Sequence, residues 1–141
     1  MTDQRPGHAQ AHAASTGQAL TEADYLDTHY AACRPEYEAM VRSVGIAPGW
    51  RVLDAGCGGG AFLPLLAELV GAAGRLTALD LAPDNVDIVR GRVAGWGLPC
   101  PLEARAGGVT TLPFADDTFD ALWCANVLMY LNDADLSLIH I

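Results

Sequence analysis

The chain has 141 residues, which is enough for one domain and too few for two. It is 51% hydrophobic, so it can bury a core, and its formal net charge of −9 argues against nonspecific binding to nucleic acid or to an anionic membrane. It contains no apolar segment long enough to cross a bilayer and begins without the apolar region of a signal peptide, so we expect a cytoplasmic protein without membrane insertion.

The spacing of cysteine and histidine residues does not predict a metal site. Four cysteines are present, without a CxxC pair or a Cys/His ligand pattern: Cys33, Cys57, Cys100 and Cys124. We expect four buried free thiols in a reducing cytosol. His8 and His12 would share one face of a helix, but they lack carboxylate or thiolate partners. We therefore expect both to be solvated in a polar, flexible tail over residues 1–19.

Residues 20–47 predict two helices. Thr21 is suited to cap the first, and Pro35 fits the first turn of the second, which should end near Gly45. Helical spacing puts an apolar face on this second helix, made of Tyr37, Met40, Val41 and Val44.

The next segment predicts a strand, a glycine turn and a helix. Arg51 to Ala55 is apolar and follows a Pro-Gly turn, and the helical run Phe62 to Val70 comes after the glycines. Gly56, Gly58 and Gly60 lie between them, where the missing Cβ allows positive φ and close approach to a ligand. We expect free N–H groups of this loop and helix to favour electronegative ligand atoms.

Three further strands follow. We predict strands over Arg75 to Asp80, Cys100 to Ala106 and Phe119 to Cys124. Pro99 and Pro101 flank or enter the second of these, which places it at a sheet edge, where a missing N–H is tolerated. We also predict helices from Pro83 to Val93 or Ala94, broken by Gly95-Trp96-Gly97, and from Asn126 to Leu131.

This order predicts an α/β fold with a parallel sheet and right-handed crossovers. Ligands of such sheets lie beyond the carboxyl ends of the strands, at the point where the strand order reverses. Asp54, Asp80, Gly108 and Cys124 each lie at or near such an end. We therefore expect them to share one rim of the sheet.

Two ligand classes use this arrangement. The pattern Gly56-x-Gly58-x-x-Ala61, followed by Asp80, satisfies the loose fingerprint of a nicotinamide or flavin dinucleotide site. The other class is S-adenosylmethionine, which has no phosphate for the loop to neutralise.

Three blocks in order resemble the class I methyltransferase family, in its ubiquinone/menaquinone-biosynthesis-like branch. The first is the acid-x-Gly-x-Gly-x-Gly signature from Asp54 to Gly60, the second is Leu76 to Leu81, and the third is Leu112 to Leu131. The resemblance implies a Rossmann-like doubly wound sheet, here the N-terminal part of the family fold with the later strands missing. It also implies S-adenosylmethionine as cofactor and a small-molecule methyl acceptor.

The resemblance assigns roles to individual residues. Asp54 would hold the loop and face the ammonium end of the cofactor, while Asp80 would accept both ribose hydroxyls; the alternatives are an Asp54 that caps its own turn and an Asp80 that caps the next helix. The other cofactor contacts implied by the family pattern are Gly56, Cys57, Gly58 and Gly60 in the loop, Leu81 on the adenine, and Gly108, Val109 and Cys124. Tyr25, Tyr30 and Arg34 either cover the cofactor or belong to a surface helix. Trp50, Trp96 and Trp123 are interpreted as packing residues, and Cys124 as a core thiol rather than a nucleophile.

One position departs from the family pattern. Where the family usually has an Asp after the third strand that hydrogen-bonds the adenine amino group, this chain has Gly108. Only backbone contacts remain there, which predicts weaker cofactor binding by ~1–2 kcal/mol for one lost hydrogen bond.

We interpret residues 48–135 as a partial cofactor-binding core. The last six residues, 136–141, resemble a translated sequencing adapter, so we predict that they are not native and give His140 no role; a genuine short C-terminus is the alternative. With the fourth strand unpaired at its outer edge, the fragment should be prone to aggregate.

The sequence therefore predicts a methyltransferase whose acceptor, catalytic base and oligomeric state it leaves open. The alternatives are an NAD(P)-dependent oxidoreductase and an inactive, cofactor-binding pseudo-methyltransferase.

Overall fold

A computed structural model describes residues 22–131 of the chain. The predictions for the tail, for Thr21 as a cap and for residues 136–141 concern positions outside this range. The described elements are α1 (Ala23–Ala32), α2 (Arg34–Ser43), β1 (Arg51–Ala55), α3 (Leu63–Val70), β2 (Arg75–Asp80), α4 (Pro83–Trp96), β3 (Leu102–Ala106), β4 (Ala121–Trp123) and a 3₁₀ turn (Leu128–Tyr130).

The four strands form one parallel sheet in the order β3-β2-β1-β4, which confirms the predicted fold class. From β1 the chain moves outward through β2 to β3 and then returns to the other side of β1. The strand order therefore reverses between β1 and β4. This reversal creates a crevice at the carboxyl ends of these two strands.

β3 lies at an edge of the sheet, as its flanking prolines predict. Pro101 has no N–H to donate, but its carbonyl accepts a hydrogen bond from Leu76 N at 3.0 Å. β4 lies at the opposite edge of the described sheet. There Asp120 joins β1, since its N–H donates to Arg51 O and its carboxylate accepts from Arg51 N and the Arg51 guanidinium.

The sheet has an apolar cluster on each face, because alternate strand residues point to opposite sides. Val52 and Leu76 belong to the larger cluster, which includes buried residues of α2, α3 and α4. Leu53 and Leu79 belong to the smaller one, which is covered by Val109 and partly buried Phe114 and Phe119 from the segment after β3 and by partly buried Val127 after β4. β1 is thus buried on both faces, as a central parallel strand must be.

Two helix predictions were wrong in extent. α4 continues through Gly95 to Trp96 and ends where Gly97 takes a left-handed φ of 59°. Trp96 packs against the large cluster, which offsets the cost of about 1 kcal/mol for a glycine in a helix. Within the described residues, the segment predicted to start a helix at Asn126 forms a 3₁₀ turn, and Asn126 itself lies outside it with a φ of 59° that no α-helix contains.

The predicted apolar face of α2 is only partly buried. Val41 is fully buried, whereas Met40 and Val44 are exposed. The cysteines are free, as predicted, but only Cys57 and Cys100 are buried and Cys33 and Cys124 are half-buried.

Candidate functional site

A cavity of about 380 Å³ opens at the carboxyl ends of the strands. It lies at the reversal of strand order, where such folds bind their ligands, and its volume lies within the range of sites for small molecules and cofactors. Its wall is formed by α1, α2, the loop after β1, the residues after β2, and the segments after β3 and β4.

The glycine loop forms one wall of the cavity, and at two of its positions an added side chain would meet a neighbouring residue. Gly56 has a φ of 77°, and a Cβ added to it would overlap the side chain of Val127. Gly58 has a φ of 53°, and its Cβ would lie 2.7 Å from Leu26 Cδ1. Both positions therefore favour glycine by conformation, and Gly56 does so by space as well.

The expectation that this loop presents free N–H groups was wrong for three of them. The N–H groups of Gly56 and Cys57 both donate to Leu79 O, at 2.7 and 3.0 Å. The N–H of Gly58 donates to Asp80 Oδ2 at 2.8 Å. These bonds hold the loop on the end of β2, so it meets a ligand with its Cα atoms and carbonyl groups rather than with these donors.

Asp80 lies at the wall of the cavity with most of its carboxylate engaged. Besides Gly58, it accepts hydrogen bonds from Ala82 N at 2.9 Å and from Asn85 Nδ2 at 3.1 Å. It therefore contacts the residues at the start of α4 without capping the helix, because the N–H groups of the first helical turn do not donate to a side chain. A carboxylate has about four acceptor positions. About one position thus remains for a ligand hydroxyl.

Asp54 is buried behind the loop and does not line the cavity. Its Oδ2 has no hydrogen-bond partner within the described residues. Burial and, secondarily, the charge of Asp80 raise the pKa of Asp54 to about 8. A buried polar oxygen without a partner is rare, and a cationic ligand group nearby would give it one and would favour the charged carboxylate over the protonated form.

Seven of the ten predicted site residues line the cavity: Gly56, Cys57, Gly58, Asp80, Leu81, Gly108 and Val109. Asp54, Gly60 and Cys124 do not. Gly60 is a packing residue, since its Cβ would lie 2.8 Å from both Leu63 Cδ1 and Trp96 Cη2. Burial and the charge of Asp54 raise the pKa of Cys124 to about 11, which keeps it a thiol and agrees with its interpretation as a non-nucleophile.

The α1 and α2 helices supply a wall that the sequence motifs do not reveal. Tyr30, Tyr37 and Phe62 form an aromatic cluster there, and His29 and Asn126 add polar groups. Of the three residues considered as a cover, Tyr30 lines the cavity. Helical spacing on α2 had assigned Tyr37 to packing, and no spacing rule connects it to Asn126.

Tyr25 and Arg34 are not part of the cavity wall. Tyr25 is 62% exposed. Arg34 forms an ion pair with Glu38 on the surface of α2.

An ion pair fastens α1 to the glycine loop. Arg92 on α4 pairs with Asp27 on α1, with 2.6 Å between Nη2 and Oδ2. The same guanidinium donates to Gly59 O at 3.0 Å. Arg92 therefore links α1, which lines the cavity, to the backbone of the glycine loop.

Within residues 22–131, no group of histidine, cysteine or acidic side chains is arranged to hold a metal ion. None of the helices in this range has the length and apolar character needed to cross a bilayer.

This site defines a class: a Rossmann-like domain that binds a nucleoside-containing cofactor at the end of its first two strands. The family model described as a methyltransferase domain matches residues 52–140, and the chain belongs to this family. The match includes residues 136–140, so the interpretation of residues 136–141 as a non-native adapter sequence stays a prediction.

Curated relatives agree with this membership. The chain is 29% identical over 98 residues to methyltransferase GfsG of Streptomyces halstedii, covering 70% of this chain and 34% of that protein. It is 34% identical over 98 residues to the ubiquinone/menaquinone biosynthesis C-methyltransferase UbiE of Stenotrophomonas maltophilia, covering 70% and 39%. The chain thus spans little more than a third of these two proteins.

Solved structures show the same fold. An S-adenosylmethionine-dependent methyltransferase from Aquifex aeolicus superposes with a TM-score of 0.64 at 26% identity, covering 74% of this chain and 57% of that one. The arsenic(III) S-adenosylmethionine methyltransferase CrArsM of Chlamydomonas reinhardtii gives a TM-score of 0.56 at 27% identity, covering 64% and 33%.

The residues present fit S-adenosylmethionine. Gly58 provides a contact surface without a side chain, and Asp80 retains an acceptor position for a hydroxyl. Asp54 holds an unpartnered buried oxygen suited to an ammonium group. Family and cavity together support S-adenosylmethionine as the cofactor, and they favour the methyltransferase over the dinucleotide interpretation.

Proposed function

We propose that this chain is the cofactor-binding part of an S-adenosylmethionine-dependent methyltransferase that acts on a small molecule. The observation that carries the proposal is the cavity at the reversal of strand order, bounded by Gly58 and Asp80 with Asp54 behind the loop. We further propose residues 20–47 as its helical cover and residues 48–135 as its core.

Each of these residues would contact a different part of the cofactor and hold it in place. Asp80 would hold a ribose hydroxyl while its other bonds keep the loop in place. Leu81 would cover the adenine, with the backbone of Gly108 and Val109 at its edge. Asp54 would stabilise the ammonium group. The bound cofactor supplies an electrophilic methyl group on a sulfonium, and the chain's task is to orient it and exclude water.

The finer proposal concerns the acceptor. Among the relatives are a ubiquinone/menaquinone biosynthesis enzyme, a 2-phytyl-1,4-naphtoquinone methyltransferase and a demethylmenaquinone methyltransferase, at 28–34% identity. We propose an acceptor of comparable ring chemistry and a cytoplasmic location. The net charge of −9 supports a small molecule over a nucleic acid as the acceptor.

Calorimetry with S-adenosylmethionine, S-adenosylhomocysteine and NAD tests the assignment. The full chain should bind the first two and ignore NAD. Asp80→Asn should weaken S-adenosylmethionine binding at least about tenfold, because one charged hydrogen bond to the ligand is lost. The matched control Asp116→Asn, on an exposed loop outside the cavity wall, should leave affinity unchanged. Binding of NAD alone would refute the proposal.

The pseudo-methyltransferase alternative is favoured by Gly108, which lines the cavity without the side chain usual in the family. It predicts S-adenosylmethionine binding without methyl transfer to any quinol, phenol or amine tested.

A further inference from the structure

A chain of hydrogen bonds crosses the cavity wall on the side of α1 and α2. Asn126 Nδ2 donates to the hydroxyl of Tyr37 at 2.9 Å. The same hydroxyl lies 3.2 Å from His29 Nδ1. All three residues line the cavity. Because Asn126 occupies an acceptor position of the hydroxyl, Tyr37 keeps its own proton, which it donates to the imidazole in the tautomer whose Nδ1 carries no proton.

Asn126 reaches Tyr37 from an unusual backbone position. It follows β4 at the reversal of strand order and adopts a φ of 59°, one of two such non-glycine residues in the described range. Positive φ values outside glycine concentrate at functional sites, where the surrounding structure maintains them. Here the Asn126 side chain, three residues after the end of β4, reaches Tyr37 on α2, which lies 89 residues earlier in the sequence.

The aromatic rings beside these hydrogen bonds favour a flat ligand. Tyr30 stacks on Tyr37 with ring centroids 5.7 Å apart and planes within 6°. Phe62 meets both rings edge-on, at 4.9 and 5.1 Å. Such edges and faces pack well against a planar unsaturated ring.

The charges of the wall exclude other acceptors. Within residues 22–131 the cavity wall contains neither Arg nor Lys, and its one carboxylate, Asp80, is engaged with the loop and α4. A phosphorylated or carboxylated acceptor would find neither Arg nor Lys, and an ammonium acceptor no free carboxylate. A neutral acceptor therefore matches best.

We infer that the methyl acceptor is a neutral, planar compound with an ionisable hydroxyl, such as a phenol or hydroquinone, and that Tyr37 and His29 remove its proton. This rests on the proposed function. The acceptor hydroxyl gives its proton to the Tyr37 oxygen while the Tyr37 proton moves to His29 Nδ1, leaving an imidazolium. The phenolate oxygen then forms a bond to the methyl carbon; where a ring carbon forms that bond instead, the resulting dienone returns to the aromatic phenol by moving its ring proton to the oxygen. The carbon–sulfur bond breaks, and its electron pair stays on sulfur, which becomes a neutral thioether.

Other groups near this pair leave its charge balance unchanged. Tyr25 stacks on His29 from one turn earlier on α1, with centroids 6.3 Å apart. The Arg34–Glu38 ion pair lies on the surface of α2 and carries no net charge. The imidazolium that forms would thus be stabilised mainly by the phenolate-like acceptor itself.

Absorbance of 4-nitrophenol tests the inference without turnover, since its phenolate is coloured. Bound to the full wild-type chain loaded with S-adenosylhomocysteine, it should ionise at least about one pH unit below the free compound, because transfer to His29 favours the phenolate. Tyr37→Phe and His29→Gln should each abolish this shift. The matched control Tyr25→Phe, whose ring touches His29 but does not line the cavity, should keep it.

Turnover gives the second readout. Tyr37→Phe should lower methyl transfer to a phenol by about 10²-fold or more, the usual effect of losing a proton acceptor, while the Kd for S-adenosylmethionine changes less than twofold. His29→Gln is an independent test if Tyr37→Phe melts early. A wild-type chain that binds S-adenosylmethionine but leaves 4-nitrophenol unshifted overturns this inference alone. A chain that does not bind S-adenosylmethionine overturns the proposed function and this inference with it.

Discussion

Replacing Asp54 by Asn should change how stability depends on pH. The pKa of Asp54 is about 8 in the folded chain, against an ordinary value of 3.8, because burial and then Asp80 disfavour its charge. Below pH 4 the carboxyl is protonated in both states. Between pH 4 and 8 the folded chain keeps a proton that the unfolded chain releases, so stability falls as pH rises.

The size of the effect follows from the shift. Each pKa unit corresponds to about 1.4 kcal/mol, so the free energy of unfolding should fall by about 1.4 kcal/mol per pH unit across this window and by about 4 kcal/mol at pH 7. Asn has the same shape and no charge, so it removes the slope. Its amide adds a buried donor, which costs about 1–3 kcal/mol at every pH. The slope, and not the stability at one pH, is therefore the quantity to compare.

Urea unfolding at pH 5, 6, 7 and 8 measures this slope of the free energy of unfolding against pH. The wild-type curve should fall more steeply than that of Asp54→Asn. Asp120→Asn serves as the control, because hydrogen bonds from Arg51 lower the pKa of Asp120, and its contribution is present above its ordinary pKa and lost only as pH falls further. Its slope between pH 5 and 8 should match the wild type. Equal slopes for wild type and Asp54→Asn would refute the reasoning.

Three further predictions follow from the glycines and the α1 ion pair. Gly60→Ala should destabilise the chain by about 1–3 kcal/mol, because a Cβ there would be strained and would overlap its neighbours. Gly91→Ala, which has open space in α4, should stabilise the chain by up to about 1 kcal/mol. Thermal unfolding distinguishes the two. Gly108→Asp has no steric barrier, since its Cβ would meet nothing within 3.7 Å, and should tighten S-adenosylmethionine binding about five- to thirtyfold by calorimetry; unchanged affinity would show that the site does not need this side chain. Asp27→Asn should free α1 from Arg92 and raise the Kd of S-adenosylmethionine about three- to tenfold, with the surface variant Asp87→Asn, which loses only an exposed ion pair, as control.

The central strands and the glycine loop were predictable because local rules govern them. β1 and β2 have the predicted bounds, since an apolar run between turn residues makes a buried strand wherever it lies in the fold. Gly56 and Gly58 were predicted as a close-approach loop, and both have positive φ. The edge position of β3 followed from its prolines. These features depend on steric limits within a few residues.

Element ends were less predictable because tertiary contacts decide them. Gly95 predicts a helix end, but packing of Trp96 carries α4 past it. Asn126 begins a helical run in the sequence, yet its left-handed backbone keeps it out of a helix, and the described residues after it form a 3₁₀ turn.

The amino-acid sequence alone determined a parallel α/β sheet, a glycine loop at its rim and membership in a methyltransferase family, because these depend on periodicity, turn chemistry and a short motif. Only the tertiary structure decided that the loop N–H groups bind Leu79 and Asp80 and that Asp54 is left with an unpartnered oxygen. It alone brought Asn126 to Tyr37. These contacts join segments far apart in the sequence. Which buried polar groups find a partner depends on how those segments pack, and a buried group without one costs free energy.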